Sequence, residues 1–290
     1  MNTPLREQAH LWQAPALGDV EMLHARYIQQ RFAPHVHEGY VFTVIESGAQ
    51  RFWHRGSEHL APVGSMVMIN PDELHTGATA HEAGWRYRAF YPDHERITGV
   101  LDELELTRNG LPYFNQSVIQ DPALAATFSQ LHRLSEGGAS ALEQQTAWRH
   151  AILALVQRHG QGSDARAPGN EPLAVARARE LLESQLAAPP SLEALAAAVN
   201  LSPFHFARVF RQATGLPPHA WLKQRRLVRA RELLKSGLPA LEVAFSLGFA
   251  DQSHLNRQFK QAYGVTPGAY RQACQLTTAV PVAGGQTPCV

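Results

Sequence analysis

The stretch from Ala244 to Arg271 decides the fold of the second half of the chain; it reads AFSLGFADQSHLNRQFKQAYGVTPGAYR. Apolar residues recur at helical spacing on both sides of Gly248, and Gly264 ends the second run just before Pro267. Glycine tolerates the positive φ of a tight turn and is favoured directly after the last residue of a helix. The stretch therefore predicts two helices joined by a tight turn.

The same pattern occurs upstream, so it is one half of an internal repeat. Ala196 and Asn200 precede Ala244 and Gly248 by 48 residues, and beyond the turn the offset becomes 49. The matched pairs there are Phe206 with Leu255, Arg208 with Arg257, Phe210 with Phe259, Gly215 with Gly264, Pro218 with Pro267, and Trp221 with Tyr270. Each half has the features of a helix-turn-helix unit. Ser202 is predicted to cap the second helix of the first unit, and either Asp251 or Ser253 caps the second helix of the second unit.

A long helix over about residues 218–236 is predicted to join the two units. Twenty helical residues span about 30 Å, close to the roughly 34 Å that separates major-groove faces one turn apart. Both second helices can then enter successive grooves of one DNA duplex. The joining helix carries arginines that either reach phosphates or brace the two units, namely Arg225, Arg226, Arg229 and Arg231.

The second helix of each unit has one apolar face and one outward face. The apolar faces are predicted to hold Phe206, Phe210 and Ala213 in the first unit, and Leu255, Phe259 and Ala262 in the second. The outward faces hold the candidate DNA-binding residues Phe204, Ala207, Arg208, Arg211, Ser253, Asn256, Arg257 and Lys260. Arginine suits guanine, asparagine suits adenine, and Phe or Ala can contact a thymine methyl. Arg211 and Lys260 lie one turn further along, where phosphates are expected.

Charge and composition divide the chain into two parts. Residues 1–160 hold 12 Lys+Arg and 17 Asp+Glu, whereas residues 171–273 hold 13 and 7, as a polyanionic partner of the second part would favour. The breaker-rich stretch QGSDARAPGN predicts a linker over 161–171 between a domain at 1–160 and a domain at 172–274, followed by a disordered tail over 275–290. The second domain is expected to fold alone, around Leu181, Leu195, Phe206, Phe210, Leu233, Phe245 and Phe259.

Location follows from the absence of other signals. No stretch approaches the roughly 20 apolar residues of a membrane helix, and the first 20 residues lack the apolar core of a signal peptide. Cys274 and Cys289 form neither a metal-binding spacing nor a disulfide framework. We therefore expect a cytoplasmic protein with no membrane partner.

The first part has the pattern of a small β-sandwich or barrel followed by helices. Short apolar runs at Tyr40–Ile45, Met66–Ile69 and Trp85–Tyr91 are separated by Gly, Pro, Asn and Asp, and helical patterns follow over about 122–135 and 141–159. The second helical pattern carries an apolar stripe of Trp148, Ile152, Leu155 and Val156, which either forms a homodimer or packs back on the barrel. The fold class is therefore α+β: a β-barrel with following helices, then an all-α domain.

Three histidines are the candidate site of the barrel. His35 and His37 project to one face of a predicted strand, and His75 can join them after the turn at Pro71. Three imidazoles suit zinc, nickel, iron or copper. The alternative is an organic effector of amino-acid or sugar size in a pocket of a few hundred Å³, lined by these histidines together with Arg51, Trp53, Trp85 and Tyr87.

The second part resembles the DNA-binding domain of the AraC/XylS family of transcriptional regulators over about residues 172–271. The quoted stretch carries the resemblance, although His254 stands where the family usually has an aromatic residue and Asn200 where glycine is common. The resemblance implies seven helices, asymmetric or repeated DNA sites, and recruitment or blocking of RNA polymerase.

The first part resembles the cupin-like sensor barrels of such regulators. The resemblance is carried by FAPHVHEGY (32–40), by the Gly48 turn and by GSMVMINPDELH (64–75). It implies a small effector in the barrel and dimerisation through the following helices. Metal-binding cupins add a glutamate where Val41 or Phe42 stands here. We expect an effector-controlled, sequence-specific regulator; a metal-responsive regulator is the alternative, and a cupin enzyme is less favoured because no catalytic motif is found.

Overall fold

The structure is a computed structural model that describes residues 6–103, 111–161 and 173–276. It has an antiparallel β domain with following helices and then a purely helical second part, as the α+β fold class requires. Apart from Gln161, the predicted linker lies outside the described residues, and so does the predicted tail beyond Leu276.

Two antiparallel sheets form the barrel. The larger has the strand order β1-β2-β9-β4-β7-β10, and the smaller has the order β3-β8-β5-β6. Their bounds are β1 Gln8–Ala14, β2 Val20–Tyr27, β3 Arg31–His35, β4 Val41–Ser47, β5 Ala49–His54, β6 Ser57–Pro62, β7 Met66–Ile69, β8 His75–Thr79, β9 Trp85–Tyr91 and β10 Val118–Ile119. The three predicted apolar runs thus form the central strands β4, β7 and β9.

The larger sheet is covered on both faces, which explains why its strands β4 and β7 are almost continuously apolar. On β4, Val41 and Ile45 belong to the core between the sheets, whereas Phe42 and Val44 belong to a second core on the opposite face. Three helices cover that opposite face: α1 His94–Glu103, α2 Pro122–Glu136 and α3 Ala141–His159.

The apolar stripe on α3 packs back on the barrel. Trp148, Ile152 and Leu155 are buried in the same core as Phe90 of β9, and Val156 packs against that core partly buried. Of the two alternatives for this stripe, packing on the barrel is correct and dimer contact is wrong, because the larger sheet needs a cover for its second face.

The second part contains seven described helices. They are α4 Leu173–Ser184, α5 Leu192–Ala198, α6 Pro203–Thr214, α7 Pro218–Lys235, α8 Ala240–Ser246, α9 Gln252–Tyr263 and α10 Pro267–Leu276. Helices α5 and α6 form the first helix-turn-helix unit, α8 and α9 form the second, and α7 joins them. None of the helices within the described ranges is long and apolar enough to cross a membrane.

The turns and caps of both units confirm the repeat. Asn200 and Gly248 occupy the two turns with φ of 55° and 71°. The Ser202 side chain accepts the backbone N–H of His205 at the start of α6, and Asp251, not Ser253, accepts that of His254 at the start of α9. The two units therefore have the same local structure.

Two predicted core positions are wrong. Ala213 is exposed, although the matched Ala262 is only 3% exposed, because the barrel covers the second unit at this point and nothing described covers the first. Phe245 is 64% exposed because it lies on the outer side of α8, whereas Val243 and Ala244 face the core.

The second unit and the helix that follows it are docked on the barrel, with α9 against β3 and α10 against β1. The Tyr27 hydroxyl donates to the Gly264 carbonyl at 3.1 Å, and the Gln224 side-chain amide donates to the Pro34 carbonyl at 2.7 Å. An ion pair of 2.6 Å joins Arg231 of α7 to Glu21 of β2. Among the described residues, α5 and α6 have no such bond to the barrel.

Candidate effector cavity and DNA-reading surfaces

A cavity lies between the two sheets and is closed by the second helix-turn-helix unit. Its barrel wall includes Leu11, Leu23, Phe32, His35, His37, Val41, Thr43, Gln50, Phe52, Val67, Ile69, His75, Tyr87 and Tyr91. Its other wall comes from the DNA-binding part, with Arg231, Ala262, Tyr263, Val265 and Tyr270. The volume is about 60 Å³, room for a few water molecules at roughly 10–15 Å³ each. It is smaller than the few hundred Å³ that we expected.

The three predicted histidines meet in this cavity. His35 and His75 face each other across β3 and β8, with ring centroids 4.3 Å apart, and His37 lies 5.0 Å from His35 and 5.3 Å from His75. One ring nitrogen from each lies within 4.8 Å of the others. A small inward shift of the rings would let a single cation contact all three imidazoles at the roughly 2.0–2.1 Å of a metal–nitrogen bond.

Two of the rings are held by backbone carbonyls. His35 Nδ1 lies 2.8 Å from the Ala33 carbonyl, and His75 Nδ1 lies 3.0 Å from the Glu73 carbonyl. A carbonyl only accepts, so each Nδ1 carries the proton and each Nε2 keeps its lone pair. Histidines that bind metals are commonly oriented in this way.

All three rings are neutral at pH 7. Burial lowers the pKa of His35 to about 4, and it lowers the pKa values of His37 and His75 well below the ordinary value. Repulsion between the rings adds to this effect. Neutral imidazoles can bind a metal without first losing a proton, so the residues present fit a cation of the zinc, nickel, iron or copper group.

A polar network that the sequence did not reveal supports His75. The Glu73 carboxylate accepts hydrogen bonds from His54 at 3.0 Å and from Arg55 at 2.9 Å, and Asn70 adds a third. Burial alone would raise the pKa of Glu73, but these bonds lower it to about 2. The ionised side chain anchors the turn whose carbonyl orients the His75 ring.

The wall from the DNA-binding part is also polar, and sequence reasoning missed it. Arg231 is paired with Glu21, and its guanidinium lies 5.1 Å from the centre of the Tyr263 ring and 5.5 Å from that of Tyr270. The Tyr270 hydroxyl bonds to the same glutamate. One signal was present: Tyr263 stands where the first unit has Thr214, so the repeat is broken at this position.

The other predicted effector residues are dispersed. Tyr87 lines the cavity, but Trp85 is buried behind it and does not. Arg51 and Trp53 lie on the outer face of β5, where they line a separate surface groove. Side chains alternate along a strand, so Gln50 and Phe52 take the inner positions that we assigned to these two residues.

The predicted DNA-reading faces lie on the outside of α6 and α9. Phe204 is 83% exposed, and Arg208, Arg211, Ser253, Arg257 and Lys260 are also exposed. Asn256 is half-buried. Ala207 is half-buried too, and it lines a groove with Leu182 and Pro217, so it is the least accessible member of the set.

Helix α7 braces the molecule with its arginines. Arg225 pairs with Glu38 of the barrel and Glu183 of α4, and Arg226 donates to the Leu186 carbonyl. Arg231 pairs with the barrel as described, and Arg229 pairs with Glu232 one turn further along α7. Bracing is therefore the alternative that the structure supports for Arg225, Arg226 and Arg231. The exposed Arg229 pairs within α7, and its role stays a prediction.

Comparison with known proteins agrees with this architecture. A family model described as AraC-like ligand binding domain matches residues 17–152, and one described as Helix-turn-helix domain matches residues 195–273. The chain is 28% identical over 240 residues to the uncharacterized HTH-type transcriptional regulator YbfI of Bacillus subtilis, covering 81% of this chain and 86% of that one. It is 25% identical over 260 residues to the transcriptional activator RhaS of Salmonella paratyphi B, covering 85% and 90%.

A solved structure shares the whole fold. ToxT from Vibrio cholerae superposes with a TM-score of 0.52 at 12% identity, covering 92% of this chain and 98% of that one. The ligand-binding match, the helix-turn-helix match and the full-length relatives agree, so the chain belongs to the AraC family of DNA-binding transcriptional regulators, with an N-terminal ligand-binding domain.

Proposed function

We propose that an effector bound in the cavity controls DNA reading by the second helix-turn-helix unit. The observation that carries this proposal is the double wall of the cavity, in which Arg231 and Tyr263 of the DNA-binding part face His35 and His37 of the barrel. A ligand there contacts both parts at once. It therefore has a different affinity for the docked and undocked arrangements, and this difference is what shifts the balance between them.

The size of the cavity supports the same coupling. Pockets for organic ligands measure about 300–1,000 Å³, whereas this cavity measures about 60 Å³. An effector of amino-acid or sugar size enters only if a wall moves. The wall formed by α9 and α10 is held by a small number of polar contacts, so it is the part that we expect to move.

The lining indicates the chemistry of an organic effector. The lining combines apolar side chains such as Leu23, Val41 and Ile69 with Arg231 and the three histidines. We propose a molecule with an apolar body and an acidic group that pairs with Arg231. ToxT, which shares the fold, has been crystallised with an unsaturated fatty acid bound, a molecule of this kind.

DNA reading is assigned to the exposed faces of α6 and α9. We assign guanine contacts to Arg208 and Arg257, an adenine contact to Asn256, and thymine-methyl contacts to Phe204 or Ala207. Ser253 stands at the start of α9, beside the base edges. Arg211 and Lys260 bind phosphates. The exposure of these side chains supports the assignment, with Ala207 the weakest of the set.

The experiment is a ligand screen followed by DNA titration. Carboxylic acids with apolar chains are screened by thermal shift, and hits are added to full-length protein with its selected DNA site. Ile69→Trp, which fills the cavity, should abolish the response. The control Val63→Trp, at a position 56% exposed, should keep it. A response that survives Ile69→Trp contradicts the cavity as the effector site.

A metal ion is the second candidate effector, favoured by three neutral imidazoles that lie close together, two of them oriented by backbone carbonyls. We propose a divalent cation such as zinc, nickel, iron or copper at His35, His37 and His75. Metal analysis of the purified protein and a Zn²⁺ titration test it. His37→Gln should abolish binding, whereas His59→Gln, outside the cluster, should not. An identical affinity in both variants contradicts this candidate.

Two partners complete the proposal. The relationship to AraC-family activators supports contact with RNA polymerase, and a homodimer would let two chains engage two DNA sites at once. We place this action in the cytoplasm, where the DNA is. Since the apolar stripe on α3 is buried against the barrel of the same chain, the proposed dimer must form through another surface. Light scattering of the full-length protein tests the dimer, and a monomer mass at micromolar concentration contradicts it.

A further inference from the structure

We propose that the Tyr263 phenol is the fourth donor to a metal ion held by His35, His37 and His75, so that metal binding fastens the second helix-turn-helix unit to the barrel. This inference rests on the metal-responsive candidate above. It adds to that candidate a ligand from the DNA-binding part, and hence a direct route from metal to DNA.

The first observation is a pair of unpartnered polar atoms. Tyr263 Oη and His37 Nδ1 are buried, and neither has a hydrogen-bond partner among the described residues. Leaving a buried polar group without a partner is unfavourable, so native proteins rarely do so without a reason. Both atoms belong to residues of the cavity wall, one from each part of the chain.

The second observation is the direction from which Tyr263 approaches. Its ring centre lies 6.2 Å from that of His35 and 5.9 Å from that of His37. Tyr263 is the last residue of α9, and Gly264 ends the helix directly after it. The Tyr263 ring thus lies beside His35 and His37, at the end of the helix that carries Asn256 and Arg257.

The third observation is that the nearby carboxylates are engaged elsewhere. Glu21 is bonded to Arg231 and Tyr270, Glu38 to Arg225, and Glu73 to His54 and Arg55. Three imidazoles leave one position of a tetrahedral site for another donor. Tyr263 supplies an oxygen for that position without breaking any of these bonds. The phenol releases its proton to solvent as the oxygen binds the metal. Burial raises the pKa of Tyr263 to about 12, and the charge of the cation opposes that shift.

The consequence is reciprocal coupling between metal and DNA. A metal bound to ligands from both parts stabilises the docked arrangement, and DNA that selects a different arrangement weakens metal binding by the same factor. The matched position in the first unit is Thr214, whose hydroxyl bonds to the Phe210 and Leu216 carbonyls. Only the second unit has this ligand.

The experiment compares Tyr263→Phe with full-length wild type after removal of metal by a chelator. Zn²⁺ affinity is measured by competition titration, and docking is followed as hydrogen-exchange protection of α9 and α10. Tyr263→Phe keeps the ring and removes only the oxygen. The matched control is Tyr40→Phe, whose hydroxyl donates to the Pro112 carbonyl away from the cavity.

We expect one Zn²⁺ per chain in the wild type and in Tyr40→Phe, with added protection of α9 and α10. Loss of an outer-shell partner of a metal ligand weakens metal binding roughly 10- to 100-fold. We expect Tyr263→Phe to weaken Zn²⁺ binding by at least that factor, and we expect no added protection of α9 and α10 in this variant. With Cu²⁺, the wild type should develop a visible phenolate-to-copper absorption band that Tyr263→Phe lacks, a readout that is independent of stability.

The two proposals can fail separately. If Tyr263→Phe equals the wild type in affinity, protection and copper spectrum while His37→Gln abolishes binding, the Tyr263 inference is overturned and the metal site stands. If the wild type binds no Zn²⁺ that depends on His37, both are overturned.

Discussion

The two helix-turn-helix units have the same local design in different surroundings. Helices α6 and α9 both have 12 residues, begin at a capping side chain and end at a glycine with positive φ. An added Cβ at Gly215 would meet no atom within 4 Å, whereas at Gly264 it would come within 2.4 Å of the Tyr27 hydroxyl. The repeat therefore determines the inside of each unit, and departures from the repeat mark where the second unit meets the barrel.

Of the changes that test the docking of the second unit on the barrel, removal of the Glu21 carboxylate should have the largest effect. Glu21→Ala leaves Arg231 charged and largely buried, and loss of one partner of a buried pair costs about 3–5 kcal/mol. We expect that loss in urea unfolding, together with faster hydrogen exchange in α9 and α10 than in α5 and α6. The control Glu232→Ala breaks the exposed pair with Arg229 and should cost about 0–1 kcal/mol. Equal losses in the two variants would contradict the docked arrangement.

The second-largest effect should come from the same substitution made at matched positions of the two units. Ala262→Leu forces a larger side chain into the interface and should destabilise the protein by about 1–3 kcal/mol. Ala213→Leu, at the equivalent exposed position, should stay within about 0.5 kcal/mol. Thermal unfolding of the two variants measures the difference. If Ala213→Leu were as harmful, the first unit would also be covered.

DNA reading should depend on both units. Arg257→Ala and Arg208→Ala should each weaken binding to the selected site by about 1–3 kcal/mol and relax the preference at one base position. Binding titrations against a set of single-base variants of the site check this. By contrast, Lys260→Ala should weaken all sequences alike and reduce the salt slope by about one unit. Unchanged base preference in Arg257→Ala would remove that assignment.

Lowering the pH should have the smallest effect on stability, through His35 of the cavity that the second unit covers. The pKa of His35 falls from about 6.5 in the unfolded chain to about 4 in the fold, so the unfolded state binds more protons between these values and stability decreases as the pH falls. By linkage this is worth about 0.7 kcal/mol for one such histidine between pH 7 and pH 6. His35→Gln should reduce the pH dependence of urea unfolding by that amount, in chelator-treated protein. An unchanged dependence would show that burial does not keep this ring neutral.

The sequence predicted the helical part best because the repeat constrains each position twice. Asn200 and Gly248 both require positive φ, and Ser202 and Asp251 both cap a helix, so an error in one unit would have conflicted with the other. Strands β4, β7 and β9 were also predicted, because continuous apolar runs between turn residues suit a sheet covered on both faces. The histidine cluster followed from the spacing of His35 and His37.

The rest could not be predicted because it depends on contacts between distant segments. Arg51 and Trp53 alternate with Gln50 and Phe52 on β5, and alternation alone does not say which set faces inward. The sequence around Arg231 and Tyr263 does not distinguish them from other residues of a DNA-binding domain. Their role follows only from their contacts with the barrel, which is distant in sequence. The exposure of Phe245 also depends on contacts between distant segments. A short helix has apolar residues on more than one side, and its packing partners decide which side is buried.

Gly264 has a consequence for how such a regulator changes over generations. Any side chain there is strained by its positive φ and also collides with Tyr27 and Phe32 of the barrel, whereas at Gly215 only the φ opposes a side chain. Under the proposed effector control, one codon change at position 264 would loosen the contact between the sensor and the reader, whereas the equivalent position in the first unit offers no such route to an unresponsive regulator.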